Sequence, residues 1–529
     1  MMPAAAAVPA SRLERFIEWG APQLERIIDV AAPRWALLRA QARAAVAAVR
    51  HYEAATPGRQ TNGWRRSSTD ANSANRPAIQ RLRDLARELY RNNGWARRGT
   101  SVICNNTVGW GIQPAPAEGV AKKRSKAART AWKSWAETTA CDADGIMTFG
   151  KIQRLVMTTV VKAGECLVVR RWRLGDDDLP LPMQLQVLEP DYLDSYKDGI
   201  RLDGGGRIIQ GVEFDARGRR VAYWLYDEHP GSIHQIRGTY FGASKRVPAA
   251  DVLHVFMVER PGQVRGVSWF APAIVAIQEL DEYESAALMK QKIAACFSAF
   301  VVDNSGTSPA LSKQSATDPL AETLEPGTIS YLGPNRTVTF SNPPNESNYD
   351  PFTKAQLRRV AAGFGVTYED LTGDYPHSFS ASRLGRLSHW GNVWAWQHLM
   401  VIPGLCDPVW RWFCEAAVVA GLIDQVVEAQ WSPPPMPMIE PDKEGLAYTR
   451  LMRSGVMTLQ QAVGEQGRDF ESHLDEYAST LKALDDKGIW LDSDPRRTSA
   501  AGLTQERGTS GGSKVTTAAE GAAALGGDE

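Results

Sequence analysis

The acids, thiols and imidazoles of this 529-residue chain are the groups that could do chemistry, and their spacing fits none of the common arrangements. Asp176-Asp177-Asp178 is the densest acidic cluster, and three adjacent carboxylates suit a hard cation. It follows Gly175 and precedes Leu179-Pro180, so it reads as a solvated hairpin tip. The six cysteines, at 104, 141, 166, 296, 406 and 414, form no Cys-x-x-Cys pair and keep no histidine company. Buried, reduced thiols fit that spacing better than a disulfide or a zinc site, and Cys296 falls on an apolar helix face. The eight histidines are scattered singly, and His254, at the end of a strand, reads as a group satisfied by its neighbours. Gly508 to Lys514, GTSGGSK, has the wrong spacing for a phosphate loop and no strand before it. No G-x-S-x-G elbow or H-E-x-x-H pair occurs. No catalytic, cofactor or metal residue is therefore expected, although carboxylates brought together only by folding leave an acidic nucleic-acid-processing site open as an alternative.

The most informative run is His254 to Pro272, HVFMVERPGQVRGVSWFAP, which positions elements without supplying a reactive group. Asp251 to Val258 reads as a strand, with Leu253, Val255 and Phe256 available for a core. Arg260-Pro261-Gly262 ends it in a turn, since proline fixes its own φ and glycine frees the next residue. Gln263, Arg265 and Gly266 continue the loop; the guanidinium and amide groups there suit fixing a carboxylate or backbone partner across a junction. Ser268 is then an N-cap for a helix from about Trp269 to Phe297. Ile277, Leu280, Ala287, Leu288, Ala294 and Ala295 are its packing positions, with acids crowded in the first half and Lys290 and Lys292 in the second.

Elsewhere the pattern is mixed. Arg76 to Asn93 puts Ile79, Leu82, Leu85 and Leu89 on one helical face. Strands are expected at Leu167 to Val169, Leu185 to Leu188, Ile208 to Phe214, Val221 to Tyr226 and Val252 to Phe256, separated by Gly, Pro and Asp turns. After the long helix come strand segments at Phe300 to Asp303 and Thr328 to Phe340. A second helix then opens at Asp350-Pro351, with Leu357, Val360, Ala361 and Phe364 as its stripe. Two helices embracing a small excursion make a stalk with a tip. Arg383 to Leu422 reads as helix rich in tryptophan (Trp390, Trp394, Trp396, Trp410, Trp412), which suits helix packing better than base stacking, and a helical pair follows Pro441.

These segments resemble, in order, the lambda-type family of tailed-phage portal proteins. Tyr52 to Ala55, Trp64 and Asn72 to Asn75 look like its opening, Val161 to Glu165 its Gly-Glu strand start, and Leu188 to Asp191 its Leu-x-Pro-Asp turn. The basic turn Arg260, Pro261, Gly262, Gln263, Arg265 and Gly266 is its junction motif. Trp431 to Pro434 with Pro441 to Glu444 is similar to its closing signature, with Glu440 where Asp is usual. Phe379 to Arg383 stands where the family has Tyr-Ser-Ser-x-Arg.

The resemblance implies a mixed α/β (α+β) subunit. Its parts would be an N-terminal helical arm (1–60), a β-rich wing with flanking helices (61–268), a first stem helix (269–298), a clip (299–349), a second stem helix (350–366), a tunnel loop region (367–385), a helical crown (386–492) and a disordered tail (493–529). It implies a dodecameric homo-oligomeric ring at one vertex of the capsid, the portal vertex of the virion, made in the host cytoplasm. Double-stranded DNA would pass through without sequence specificity during packaging and ejection. Implied partners are the terminase motor, the major capsid and scaffolding proteins that the ring seeds, and head-completion proteins. Another ring-forming head-tail connector is the neighbouring alternative. Tunnel-lining candidates are His377, Ser380, Ser382 and Arg383 in the loop region, and Glu279, Asp281, Glu282 and Glu284 on the stem, because a basic bore repeated around a ring would hold DNA too tightly to let it move.

Composition agrees with a structural part. Lys plus Arg is 60 and Asp plus Glu is 60, without the basic excess of a DNA-gripping protein. Scattered Arg in the Ala-rich stretch Ser11 to Glu53 could touch nucleic acid or membrane, and reads more simply as a solvated face. The start, MMPAAAAVPASRLERF, lacks a signal peptide's basic and long apolar regions, and Ala416 to Ile423 is too short to span a bilayer, so no membrane partner is expected.

Overall fold

The computed structural model describes residues 41, 68–116, 122–173, 179–233, 243–296, 300–303, 336–339, 349–375, 379–438, 440–466, 468, 470–489 and 491. The Asp176 to Asp178 triplet, His377, the GTSGGSK stretch, the arm before residue 68, apart from residue 41, and the tail after 491 lie outside them. The chain divides into two compact units, Met1–Asp70 and Ala71–Glu529. In the first, residue 41 is helical; the second holds nearly all described residues and is mixed α/β.

Its first half begins with helices α1 (Ala71–Asn75), α2 (Ile79–Asn92) and α3 (Gly94–Thr107), then strand β1 (Gln113–Pro116) and helices α4 (Lys122–Ala136) and α5 (Phe149–Ala163). The stripe read on α2 faces inward, with Ile79 and Ala86 buried and Leu82, Leu85 and Leu89 packed on the core. Asn93 starts α3 by accepting from the Ala96 N–H at 3.0 Å. Gly164 (φ 89°) closes α5 in the left-handed region, where a side chain would be strained, and the chain turns straight into β2 (Glu165–Trp172).

Next comes β3 (Met183–Leu188), followed by an antiparallel five-stranded sheet, β4 (Ile200–Arg201), β5 (Arg207–Ile209), β6 (Val212–Phe214), β7 (Arg220–Leu225) and β8 (Lys245–Pro248). Strand β9 (Val252–Phe256) then returns beside β2 to give the order β3-β2-β9. The single strand expected over Ile208 to Phe214 is in fact two. Gln210 (φ 48°) and Gly211 (φ 84°) both adopt positive φ, and Ile209 pairs with Val212 across a two-residue turn. Central β2 is buried on both faces. Cys166 and Val168 join the main core, while Leu167 and Val169 join a second cluster with Val212, Tyr223 and Leu225.

The long helix α6 spans Ile274–Cys296. It starts five residues later than expected: Ser268 caps only a turn, its Oγ accepting from Phe270 N at 3.2 Å. Pro272 has no N–H to extend a ladder backward, and the first bonds run from Ala273 and Ile274 to the Phe270 carbonyl. Ile277, Leu280 and Ala287 are buried as expected, but Leu288 is 53% exposed. Strands β10 (Phe300–Asp303) and β11 (Arg336–Thr339) pair antiparallel. Helix α7 (Tyr349–Phe364) buries Leu357, Val360, Ala361 and Phe364, the stripe that the spacing predicts. Asp350 lies within its first turn rather than capping it, and pairs with Lys354 at 2.9 Å.

Helix α8 (Tyr368–Thr372) and helix α9 (Phe379–Trp396) follow, so the region expected as a tunnel loop over 367–385 is helical over Tyr368–Thr372 and again from Phe379. A π-helical stretch, Gln397–Cys406, contains Pro403 and leads into α10 (Asp407–Val419). Strand β12 (Ala429–Ser432) pairs antiparallel with β1. Three helices rather than a pair end the described chain: α11 (Pro441–Arg453), α12 (Leu459–Glu465) and α13 (Phe470–Asp486).

The tryptophans of α10 pack inward. Trp132 of α4 lies 5.0 Å from both Trp410 and Phe413 and 5.2 Å from Phe149, ring centroid to centroid. Trp396, Trp410 and Trp412 are buried, consistent with packing, whereas Trp394 is 63% exposed. One hydrophobic core runs from Ala86 to Ile423, so one face of the three-stranded sheet and the later tryptophan-rich helices share an interior, while the five-stranded sheet packs on the second cluster.

Candidate functional site

Glu165 is the first residue of β2, where α5 ends, and its side chain is completely buried. Arg265, 100 residues away in sequence, grips it through Nε (2.8 and 3.0 Å) and Nη2 (2.6 Å). Arg83 of α2 donates to Oε1 at 3.2 Å, and the backbone N–H of Gly266 donates to Oε2 at 2.8 Å. His254 of β9, directly across the ladder from Leu167, two residues along β2 from Glu165, lies 2.8 Å from Oε2. One carboxylate thus ties together α2, β2, β9 and the loop that launches α6.

The electrostatics are those of a lock. Burial alone would push the Glu165 carboxyl up, but Arg265 and His254 hold it well below the ordinary carboxylate range. Burial pushes His254 down by more than Glu165 raises it, so the imidazole is neutral. Its environment accommodates one tautomer: Nε2–H donates to Glu165, while Nδ1 accepts from Arg220 Nη1 at 3.1 Å. Arg265 also reaches Ser195 Oγ (2.9 Å) and the Gln210 carbonyl (3.2 Å) through Nη1. Removing one partner of such a buried set strands the others without water, which is costly.

The turn itself is braced from within. Gln263 Oε1 accepts from the N–H groups of Glu259 (2.9 Å) and Arg260 (3.2 Å), and its Nε2 donates to the Arg265 carbonyl (2.9 Å). Asn72 of α1 accepts from Val264 N at 2.8 Å and donates to the Gly262 carbonyl at 2.9 Å. Gly262 adopts φ 76°, and Arg260 and Pro261 are exposed at the tip. At Gly266 a Cβ would stand 2.1 Å from the Gly164 carbonyl oxygen and 2.8 Å from Phe256 Cβ, so the two chain segments touch backbone to backbone.

The fold therefore gathers the stretches Asn72–Asn75, Val161–Glu165, Leu188–Asp191 and Arg260–Gly266 around one carboxylate. The spacing picked out the turn but not Arg83 or Glu165 as its partners; a lone acid opening the apolar run Glu165 to Val169 was the available signal. Asp191 is held low despite its burial by Arg83 and Arg87. Glu189, Asp191 and His229 could together approach a metal ion. Arg87 Nη2 already donates to Glu189 at 2.9 Å and to Asp191, supplying the positive charge there.

The remaining candidates are dispersed. Arg383 on α9 lies 3.7 Å from Glu444 and 4.0 Å from Glu440, so the Phe379–Arg383 and Pro441–Glu444 stretches also meet. Ser380 and Ser382 belong to the first turn of α9. On α6, Glu279 lies 3.6 Å from Arg359 of α7, while Asp281 and Glu282 are exposed and Glu284 is half-buried. Burial and the neighbouring Asp281 raise the Glu284 carboxyl above its ordinary value.

The family described as phage portal protein, lambda family, matches residues 57–397. The chain belongs to that family. Among curated relatives of this portal family, a probable portal protein of Halomonas phage phiHAP-1 is 26% identical over 469 residues, covering 83% of this chain and 88% of its own. The portal protein of Escherichia phage N15 is 24% identical, covering 68% and 74%, and portal protein B of Escherichia phage lambda is 23% identical, covering 63% and 68%. Among solved structures, the neck of a native gene transfer agent particle computed with C12 symmetry aligns with TM-score 0.44 and 13% identity, covering 72% of this chain and 91% of that one. An HK97 family phage portal protein from Corynebacterium diphtheriae aligns with TM-score 0.29 and 10% identity, covering 69% and 96%.

Proposed function

We propose that this portal protein forms a closed ring at one capsid vertex, through which a separate terminase motor drives double-stranded DNA into the head and from which DNA later leaves. The observation that carries the reading is the family match over residues 57–397. Exposed apolar residues on the helices add support. On α9, Leu384 (70%), Leu387 (52%), Trp394 (63%) and Leu399 (71%), just beyond its end, follow a helical repeat on the side opposite buried Val393, Trp396 and Met400. A lone subunit rarely leaves such a stripe in water. The balance of 60 basic and 60 acidic residues suits a conduit that passes DNA rather than holding it.

In this reading the chain is a scaffold rather than a catalyst. It works in the virion after assembly in the host cytoplasm, and docks terminase, scaffolding and capsid proteins and later head-completion proteins. Helices α6 and α7 are its stem, and the region 367–385, which includes α8 and the first turns of α9, is its tunnel loop region. Glu282 is the acid best suited to the bore. It stands with Val275, Gln278, Ala286 and Met289 on the side of α6 opposite buried Ile277 and Leu280. The test is packaging in infected cells. Phage carrying Glu282→Arg should assemble heads that fill slowly or stay empty, most severely at low ionic strength. Normal filling would remove the acidic bore, and DNA-filled heads made with the chain absent would remove the portal reading itself.

A further inference from the structure

The stem carries charges of opposite sign on its two outer flanks. Tyr283 of α6 stacks on Tyr349 of α7 (ring centroids 5.9 Å) and touches Phe352 (4.5 Å), and Glu279 pairs with Arg359, so these residues mark the seam between the two helices. On α6 the flank turned away from that seam repeats as Asp281, Ser285, Leu288 and Lys292, spaced i, i+4, i+7 and i+11. Its upper part is acidic, since half-buried Glu284 lies beside it, and Leu288 is 53% exposed. On α7 the flank turned away from the seam carries Lys354 and Arg358.

Neither flank is neutralised across the seam. Asp281 and Glu284 form no ion pair among the described residues, and Glu284 is raised by burial and by Asp281, as expected of an acid lacking a cation. Among the described residues Lys354 forms its ion pair within its own helix, with Asp350, and Arg358 lies over the Tyr368 ring at 5.4 Å. The two helices run antiparallel: Ala273 is close to Gly363, Glu279 to Arg359, and Tyr283 to Phe352. That register puts Lys354 and Arg358 at the same level along the stem as Asp281. Copies in a ring are related by rotation about its axis, so with the stem running along that axis the level along the stem is the same in every copy. Acid on one flank and base on the other, at one height, is what a head-to-tail contact between identical copies requires.

We infer that the α6 flank of one copy, Asp281 and Glu284 with Leu288 beside them, docks on the Lys354–Arg358 flank of α7 in the next copy. The inference rests on the ring reading above and names which faces of the stem meet. Ring formation by the full-length chain, followed by mass photometry and negative-stain imaging across protein concentration, tests it. Asp281→Arg and Arg358→Asp should each raise the concentration for half-assembly by about tenfold or more, because every contact in the ring then opposes like charges. The doubly reversed chain should recover most of the loss, and the wild-type half-assembly point should rise with salt. Melting curves identify any variant that fails to fold; Asp281→Asn and Arg358→Gln then carry the same comparison with smaller shifts. Unchanged assembly by the single variants, or no recovery in the double, overturns the flank pairing while wild-type rings keep the portal reading. A wild-type chain that never forms rings overturns the portal reading instead.

Discussion

Replacing Arg265 with alanine tests the buried junction most sharply. The change removes three short contacts to Glu165 (2.8, 3.0 and 2.6 Å), and leaves the Gln210 carbonyl and Ser195 Oγ without their Nη1 donor. Breaking a fully buried ion pair costs about 3–5 kcal/mol because the remaining charge stays in a dry interior. Arg83 and His254 still face Glu165 in the variant, which puts the expected loss near the lower end, about 3 kcal/mol. Arg265→Lys keeps the charge but not the fork, and should lose roughly half of that. Glu165→Gln strands two guanidinium groups instead of one carboxylate, and should cost about 4–5 kcal/mol. Urea unfolding followed by circular dichroism and tryptophan fluorescence measures all three, provided the slope with denaturant is unchanged. A loss below about 1 kcal/mol for Arg265→Ala would refute the junction as a structural lock.

Three further outcomes follow from the same geometry. His254 and His389 are both pushed below their ordinary value of 6.5, first by burial, so below that pH the unfolded chain binds protons that the folded chain refuses. Stability should therefore fall as pH drops from 7 through 6.5, by up to about 1.4 kcal/mol per pH unit for each histidine, and His389→Gln should roughly halve the slope in urea titrations. Glu165 acts in the other window: its depressed carboxyl contributes fully above 4.5 and loses that contribution as pH falls further. Gly266→Ala should lower stability by about 2 kcal/mol or more, since its Cβ would meet the Gly164 backbone at 2.1 Å; a neutral effect in calorimetry would show that the two segments can part cheaply. Trp132→Ala should cost about 3–5 kcal/mol and lower one cooperative transition, because its ring joins α4 to α10 through Trp410 and Phe413; two separated transitions would contradict the single shared core.

Much of the fold was legible because it is written in short-range periodicity. The β9 strand and the Leu357, Val360, Ala361 and Phe364 stripe of α7 each depend on neighbours within two turns or a few residues. The errors came where one residue overrode a pattern. Pro272 delayed α6, and Gln210 took positive φ without the Asn-Gly signature that announces a two-residue turn. Leu288 fits an apolar stripe by spacing, yet it is 53% exposed in its own subunit. The junction motif was visible as a turn, and a carboxylate partner for it was chemically foreseeable. That the carboxylate is Glu165, with Arg83 behind it, depends on contacts across 100 and 82 residues, which spacing cannot carry.

The central claim concerns what many copies build, and a three-dimensional cryo-electron microscopy reconstruction of the purified full-length chain measures it directly. The account predicts a closed ring with a central hole, α6 beside the hole, Glu282 facing it, and Asp281 against Lys354 or Arg358 of the next copy. Particles that remain single subunits at every concentration and salt condition, or rings with α6 on the outer rim, would contradict it.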